Sequence, residues 1–209
     1  MYYKNTIPKI IHQIWIGPHK LPTRFINTWK NDYISENKDW EYKLWRENDL
    51  EDLNMVNKDV YDMENDYAGK SDIARLEILN KYGGIYIDAD SVWVNNKSLN
   101  KVLDESAEEG MFASIEPTKN YLANGVIGST PNNENILFLI NEIRSMKHNY
   151  KELRNKFMPW QLTGPYLLEK VRKTGRKIKV LPTNYFYLLR KLQLENFQNY
   201  LQLHYSNMD

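Results

Sequence analysis

The sequence lacks cysteine, which excludes a disulfide framework, a thiol nucleophile and a thiolate zinc site. Any bound metal must therefore be held by oxygen atoms or by imidazole nitrogens. The sequence also lacks an apolar run near the roughly 20 residues that span a bilayer, and its first residues, MYYKNTIPK, lack the apolar core of a signal peptide. These absences predict a soluble, cytoplasmic chain without a transmembrane segment.

An excess of one sign of charge is missing as well. The chain has 28 Lys and Arg against 27 Asp and Glu, a formal net charge of +1. With the charges balanced, no overall electrostatic field attracts a nucleic acid. The basic run VRKTGRKIK is typical of a solvated helix end and strand edge. We therefore expect no nucleic-acid partner. Aromatic residues are plentiful, with 15 Tyr and 6 Trp, and such rings serve both interiors and sugar-stacking surfaces.

Strand and helix patterns alternate along the 209 residues. Apolar, β-rich runs predict strands at IPKIIHQIWIG, WEYKLW, GIYIDADSVWV, GMFASIE, NGVIGSTP and KIKVLP. Helical spacing predicts helices over 23–31, 133–146 and 164–173, and a longer helix that Ser71 caps and Gly83 ends. The alternation indicates one α/β domain, 1–209, with a central mixed, mainly parallel sheet flanked by helices. Ligands bind such sheets beyond the carboxyl ends of the strands.

Two carboxylates, Asp88 and Asp90, follow the apolar run 85–87. An extended backbone sends alternate side chains to one face, so Tyr86, Asp88 and Asp90 are predicted to line up at a strand's mouth. Close carboxylates repel each other unless a cation or strong donors compensate them. Mg²⁺ or Mn²⁺ prefers one or two carboxylates together with diphosphate oxygens. For a bare Asp-x-Asp pattern, a solvated turn is the alternative.

The residues around this pattern carry a family resemblance. The block SDIARLEILNKYGGIYIDAD joins a helix, a double-glycine stop and the acidic strand end. It resembles glycosyltransferase family 32, the group with a sugar-binding region containing a DXD motif, and is similar to the catalytic core of the large clostridial glucosylating toxins. The segments IPKIIHQIWIG, NGVIGSTP, TGPYLL and HYSNMD extend the resemblance over nearly the whole chain.

The resemblance implies a GT-A-type nucleotide-sugar-binding fold and a set of site residues. By the family pattern, Asp90 coordinates Mn²⁺ (or Mg²⁺) directly, and Asp88 contacts the ribose and the metal shell. Asp72 and Arg75 match positions that hold the hydroxyls of the donor sugar. A helical spacing of three also puts this pair on one face, for which an ordinary surface ion pair is the alternative.

The family places contacts to the nucleobase and the ribose on the first strand, at His12, Gln13 and Trp15. A core position is the alternative for Trp15, since a tryptophan in an apolar strand is usually buried. Tyr86 shares the predicted face of the two aspartates, where it either reaches the donor or packs as a core tyrosine with a satisfied hydroxyl.

Two further site residues follow from the resemblance. Asn124 falls where an asparagine near the sugar or the acceptor is expected, although the Asn124–Gly125 pair also forms turns. His204 is the candidate for a further metal ligand. The family usually shows a tryptophan shortly after that histidine, whereas Asn207 and Met208 follow here.

The expected activity is therefore metal-dependent transfer of a hexose from a nucleotide sugar, a UDP-sugar such as UDP-glucose, to an acceptor hydroxyl. The family retains anomeric configuration, and the acceptor is a glycan, a lipid-linked intermediate or a protein. Two alternatives stay open: a glycosidase that uses Asp88 and Asp90 as its acid and base pair, and a nucleotide-sugar-binding protein without turnover. The chain is either a whole protein or the N-terminal domain of a longer one.

Overall fold

A six-stranded sheet forms the centre of the computed structural model, which describes residues 6–94, 98–116 and 120–187. The spatial order of its strands is β2-β1-β3-β5-β4-β6. The strands are β1 (Ile10–Ile14), β2 (Glu41–Trp45), β3 (Gly84–Ile87), β4 (Met111–Ile115), β5 (Leu122–Ser129) and β6 (Lys179–Leu181).

The sheet is mixed and mainly parallel, as the sequence predicts. Strand β1 pairs in parallel with β2 and β3, and β4 pairs in parallel with β6. Strand β5 runs antiparallel to both of its neighbours, β3 and β4. The carboxyl ends of the other five strands therefore meet at one edge of the sheet, where β5 begins.

Ten α-helical segments surround the sheet in the described ranges. They are α1 (Thr23–Asn27), α2 (Ile34–Glu36), α3 (Glu47–Glu51), α4 (Lys58–Met63), α5 (Tyr67–Tyr82), α6 (Leu99–Glu105), α7 (Glu134–Ser145), α8 (Tyr150–Lys156), α9 (Pro159–Leu162) and α10 (Pro165–Lys173). The predicted helix over 23–31 is α1 continued by a π-helical stretch, Thr28–Tyr33. No helix in these ranges has the length and apolar character needed to cross a membrane.

The longest helix, α5, begins earlier than the sequence pattern predicts. Asp66 is its N-cap, and the Asp66 carboxylate accepts a hydrogen bond from the Ala68 amide. Ser71 lies inside the helix, so its predicted capping role is wrong. The apolar spacing begins at Ile73, but the helix begins at Tyr67, because the Asp66 carboxylate satisfies the Ala68 amide in its first turn. Gly83, with φ +64°, ends it as predicted.

The hydrophobic core lies on both faces of the sheet. One cluster packs α5, α7 and α10 against it, including Ile73, Leu139 and Val171. The other lies on the opposite face and includes Trp29 and Val102. Because α5 is buried in the first cluster, it holds the side chains of its middle turns at a fixed height over β3 and β5.

Candidate active site

The acidic residues lie in a turn, not on an extended strand. Strand β3 ends at Ile87, and the Ser91 amide donates to the Asp88 carbonyl at 3.0 Å. The prediction of a strand reaching Val94, with Tyr86, Asp88 and Asp90 in alternation, is therefore wrong beyond Ile87. The pairing of β3 with β5 ends at this point. Its last hydrogen bond runs from the Asp88 amide to the Gly125 carbonyl. The turn leaves Asp90 exposed and Asp88 half-buried.

The Asp88 carboxylate is held from two sides. Its Oδ1 accepts a hydrogen bond from the Tyr86 hydroxyl at 2.8 Å and lies 3.5 Å from the Arg75 guanidinium. Its side chain is still 42% exposed. Burial raises the pKa of Asp88, the Arg75 charge opposes that rise, and Asp90 adds to it. A cation in the turn would relieve this penalty, because it stabilises the charged form.

A polar pocket lies beside this turn, built from α5 and β5. The Asp72 carboxylate pairs with the Arg75 guanidinium at 3.0 Å and accepts a hydrogen bond from the Asn124 side-chain amide at 2.7 Å. The Thr163 hydroxyl donates to its second oxygen at 3.3 Å. The helix spacing of three thus produces a buried pair, not the surface ion pair that was its alternative. Of the residues predicted to hold a sugar, Asp72, Arg75 and Asn124 are brought together.

Arg75 links the pocket to the turn. Besides the two aspartates, its guanidinium donates to the backbone carbonyl of Asn124 at 2.5 Å and lies 4.3 Å over the ring of Tyr86. These anionic and aromatic partners raise the pKa of Arg75 despite its burial. Burial raises the pKa of Asp72 to about 6, although the Arg75 charge opposes that rise. The site therefore concentrates negative charge around one fixed cation.

A cavity of about 10 Å³ adjoins Asp72 and Asn124, room for about one water molecule. Its other walls include Gly164, Leu139 and Leu167. The Gly164 backbone packs closely here, because a Cβ at this position would lie 2.9 Å from Asp72 Oδ2. Both polar groups and leucine side chains therefore line this space.

The first strand supplies support for the turn at Gln13 and a half-exposed ring at Trp15. The Gln13 amide is fully buried; it donates to the Asp88 carbonyl at 3.2 Å and accepts from the Tyr42 hydroxyl at 2.8 Å. Both ends of this side chain are thus bonded to the protein. Trp15 lies just beyond β1, where its indole donates to the His19 carbonyl at 3.0 Å. Trp15 therefore stays a candidate for nucleobase contact, whereas Gln13 positions Asp88.

His12 is a core residue in this structure. It is 2% exposed, and its Nδ1 accepts a hydrogen bond from the Trp45 indole at 3.1 Å. Its Nε2 lies 2.9 Å from the Gly83 carbonyl, which can only accept, so the proton resides on Nε2. Neither ring nitrogen is available to a ligand in this geometry. The nucleotide contact predicted at His12 is therefore not available in this structure.

The His12 environment predicts a loss of stability in mild acid. Burial lowers the pKa of His12 to about 4, whereas the unfolded chain protonates near the ordinary value of 6.5. Between these values the unfolded state binds more protons, so stability falls as the pH falls. The free energy of unfolding should drop by about 2 kcal/mol from pH 7 to pH 5 through this group. Urea unfolding measures the drop, and an NMR titration of the ring with a midpoint near 6.5 would contradict it.

Several residues that sequence reasoning did not single out complete the site. Tyr187 lies near the turn, since a Cβ on Gly125 would meet the Tyr187 hydroxyl at 3.1 Å and Asp88 Oδ2 at 2.7 Å. The Ser91 hydroxyl donates to the Asp88 carbonyl at 2.6 Å and accepts from the Trp29 indole at 3.2 Å. Ser91 could have been found from the sequence, because it directly follows the acidic pair. Tyr187 and Trp29 come from distant segments, so no sequence pattern points to them.

The donor set of the turn suits a hard divalent cation. Asp88 and Asp90 offer carboxylate oxygens that are partly or wholly exposed, and the Asp90 charge adds to the rise in the pKa of Asp88. No cluster of three or more His, Asp or Glu side chains with metal-site geometry occurs within the described ranges. The remaining ligands would therefore come from a bound diphosphate, from water or from residues such as His204, which lies outside the described residues.

A methyl group at Gly125 should disturb the geometry of the turn while leaving both of its carboxylates in the sequence. We expect Gly125→Ala to displace the Asp88 carboxylate, because the new Cβ would lie 2.7 Å from its Oδ2. The displacement should lower the affinity for Mn²⁺ by roughly tenfold or more, as losses around metal ligands typically do. Calorimetric titration of Mn²⁺ in the presence of UDP measures this affinity. Unchanged metal affinity in the folded variant would contradict the placement of Asp88.

The sequence of this region matches a known family. Residues 22–108 match the family model described as "Glycosyltransferase sugar-binding region containing DXD motif". The matched segment contains Asp72, Arg75, Tyr86, Asp88 and Asp90, and Asn124 lies outside it. Residues 22–108 of this chain are thus similar to the sugar-binding region of DXD-type glycosyltransferases. The resemblance noted in the sequence is thereby confirmed.

Curated relatives match parts of this chain. "Uncharacterized glycosyltransferase L373" of Acanthamoeba polyphaga mimivirus is 36% identical over 60% of this chain and 51% of its own length. "Inositol phosphoceramide mannosyltransferase 3" of Schizosaccharomyces pombe is 27% identical over 82% of this chain and 46% of its own. "Mannosyl phosphorylinositol ceramide synthase CSH1" of Saccharomyces cerevisiae is 29% identical over 82% and 44%. The chain spans about half the length of these relatives.

Solved structures share the fold. PaToxG glycosyltransferase superposes with a TM-score of 0.61 at 20% identity, over 95% of this chain and 76% of that one. The UDP-bound glycosyltransferase domain of the YGT toxin gives 0.56 at 11% identity, over 88% and 81%. The expected GT-A-type architecture is therefore confirmed, and these likenesses concern the fold alone.

Proposed function

We propose that this domain is a metal-dependent glycosyltransferase, which moves a hexose from a nucleotide sugar to an acceptor hydroxyl with retention of configuration. One observation carries the proposal: the buried Asp72, Arg75 and Asn124 pocket adjoins the exposed carboxylates of the Asp88–Asp90 turn. The space beside Asp72 has room for about one hydroxyl group, so the pocket would bind a single hydroxyl of a sugar whose diphosphate lies at the acidic turn.

The pocket side chains suit sugar hydroxyls. The Asp72 carboxylate is an acceptor whose two oxygens are already oriented by Asn124 and Thr163. Its side chain therefore loses little conformational entropy when a hydroxyl donates to it. Arg75 is fixed by its anionic partners and by the Tyr86 ring, and it holds both aspartates at a constant spacing. The pocket thus sets the position of the sugar relative to the turn.

The turn suits the diphosphate. Mn²⁺ or Mg²⁺ held by Asp90 and Asp88 would neutralise the charge that develops on the departing nucleoside diphosphate. Tyr86, Gln13 and Ser91 keep Asp88 in place through its carboxylate and its carbonyl. Trp15 is partly exposed just beyond β1, and this exposure supports it as the proposed contact for the nucleobase.

The proposed donor is a UDP-sugar such as UDP-glucose. The UDP-bound toxin domain, which shares the fold, supports uridine as the base. The names of the yeast relatives mention mannose, so glucose and mannose are both hexoses to test.

Release of nucleoside diphosphate from UDP-glucose and from GDP-mannose tests the proposal, with Mn²⁺ and with a chelator. We expect release of UDP from UDP-glucose, and we expect this release to stop when the metal is chelated. Turnover of GDP-mannose would instead assign guanosine as the base of the donor. Hydrolysis of a glycoside that survives chelation would favour the carboxylate-pair glycosidase. Metal-dependent nucleotide binding with no turnover would indicate a binding protein.

A further inference from the structure

The pairing of β4 with β5 is interrupted beside the site. Ala113 lies opposite Ile127, but the next residue, Ser114, lies opposite Ala123. Residues 124–126 of β5 therefore bulge out of this ladder, with no residue of β4 opposite them. A bulge of this kind redirects side chains and is common next to active sites. Here it frees groups of residues 124–126 for contacts with other parts of the chain.

The last residue of the bulge binds a tyrosine. The Val126 amide donates a hydrogen bond to the Tyr187 hydroxyl. A Cβ on Gly125 would lie 3.1 Å from that hydroxyl oxygen and 2.7 Å from Asp88 Oδ2, so both oxygens lie beside the same glycine. The Tyr86 hydroxyl holds the other carboxylate oxygen, Oδ1. The Tyr187 hydroxyl therefore lies next to the carboxylate oxygen that remains for a ligand.

The segment that carries Tyr187 is fastened by hydrogen bonds. The Thr183 hydroxyl donates to the Ile115 carbonyl at 3.0 Å, and the Tyr185 hydroxyl donates to the Glu105 carboxylate at 3.0 Å. The Tyr187 amide donates to the Thr183 carbonyl at 2.8 Å. Because the backbone is already fixed, little conformational entropy is lost when the Tyr187 hydroxyl binds a ligand.

The Tyr187 hydroxyl can donate a hydrogen bond as well as accept one. A tyrosine hydroxyl is protonated at neutral pH, and its oxygen here accepts from the Val126 amide. Within the described part of the chain, no hydrogen bond joins its own hydrogen to an acceptor. An anionic oxygen suits this hydrogen best, because a hydrogen bond to a charged acceptor is about twice as strong as a neutral one.

We propose that Tyr187 is a further substrate-binding residue, whose hydroxyl donates a hydrogen bond to a diphosphate oxygen of the nucleotide sugar. This inference rests on the proposed function and adds a residue to the same site. Negative charge builds on the diphosphate as the sugar departs, so this hydrogen bond strengthens in the transition state. Tyr187 thus acts on the same leaving group as the acidic turn.

Calorimetric binding of UDP in saturating Mn²⁺ tests this role in Tyr187→Phe, which keeps the ring and removes only the hydroxyl. We expect roughly tenfold weaker binding, as for the loss of a hydrogen bond to a charged group. Turnover should fall roughly 100-fold, as for the loss of a donor to a developing anion. Tyr185→Phe is the matched control, expected to bind like the wild type, because it removes a hydroxyl of the same segment that is bonded to Glu105.

The affinity for Mn²⁺ alone separates a contact with the diphosphate from support of Asp88. A titration of Mn²⁺ without nucleotide, followed by electron paramagnetic resonance of the free ion, should give the same result for Tyr187→Phe and the wild type. A loss of metal affinity as large as the loss of UDP affinity would overturn the assignment, since Tyr187 would then act through Asp88. So would equal UDP affinity in Tyr187→Phe and the wild type. Thermal unfolding checks that both phenylalanine variants are folded.

A crystal structure of the wild type with UDP and Mn²⁺ tests the contact without any substitution. We expect the Tyr187 hydroxyl oxygen at about 2.5–3.0 Å from a diphosphate oxygen, and a separation above about 4 Å would overturn the inference. UDP calorimetry on the wild type tests the proposed function separately. Absence of metal-dependent binding there would reject the proposed function, whereas binding that Tyr187→Phe leaves unchanged would reject only the role of Tyr187.

Discussion

Asp88→Asn should abolish sugar transfer while leaving the fold intact. The amide keeps the shape of the carboxylate and can still accept the hydrogen bond from Tyr86, but it loses the charge that a divalent cation needs. Stabilisation by a metal is worth several kcal/mol in the transition state, so we expect turnover to fall roughly 1,000-fold. Release of nucleoside diphosphate under saturating Mn²⁺ measures the loss.

The stability of the same variant separates a functional role from a structural one. Burial and the Asp90 charge raise the pKa of Asp88. At a pH above that pKa, the ionised carboxylate is therefore less favourable in the folded chain than in the unfolded chain. The midpoint of urea unfolding of Asp88→Asn at neutral pH should therefore be equal to that of the wild type or higher. A marked loss of stability together with the loss of activity would mean that Asp88 supports the fold.

Arg75→Met should cause the largest loss of stability among substitutions in the site. Its side chain is 6% exposed, and methionine fills similar space without the charge. The change leaves the Asp72 carboxylate buried opposite Asn124 and Thr163 with no cation. Removing one partner of a buried ion pair typically costs about 3–5 kcal/mol, so we expect a decrease of that size in the free energy of unfolding. Chemical denaturation measures it.

A double variant tests the physical reason. Arg75→Met/Asp72→Asn removes the unpaired charge, so it should be more stable than Arg75→Met alone, even though it carries one more substitution. It should still lack sugar transfer, because both pocket groups have changed. Equal or additive destabilisation in the double variant would show that the two side chains do not act as a buried pair.

The sequence predicted the architecture because the signals for strands and helices here are local. The apolar runs before Asp88 and around Val126 and the helical spacing from Ile73 to Leu79 correspond to β3, β5 and α5. The predicted boundaries failed where a single contact decides them. Asp66 caps α5 in place of Ser71, and the turn at Asp88 ends the strand that alternation extended to Val94.

The site was predicted only in part, because its supporting contacts join distant segments. The spacing of Asp72 and Arg75 indicated a shared helix face, and the structure adds that Asn124 and Thr163 orient the carboxylate from other elements. The same long-range packing removes His12, whose nitrogens bond to Trp45 and Gly83. No periodic pattern in the sequence reports such pairings.

Calorimetric binding of UDP, GDP and CMP, with and without Mn²⁺, tests the central claim most directly. It should be run on the wild type and on Asp90→Ala, whose exposed side chain can be truncated with little effect on folding. The account predicts UDP binding that requires both Mn²⁺ and Asp90. Absence of metal-dependent binding of any of the three nucleotides to the wild type would contradict it.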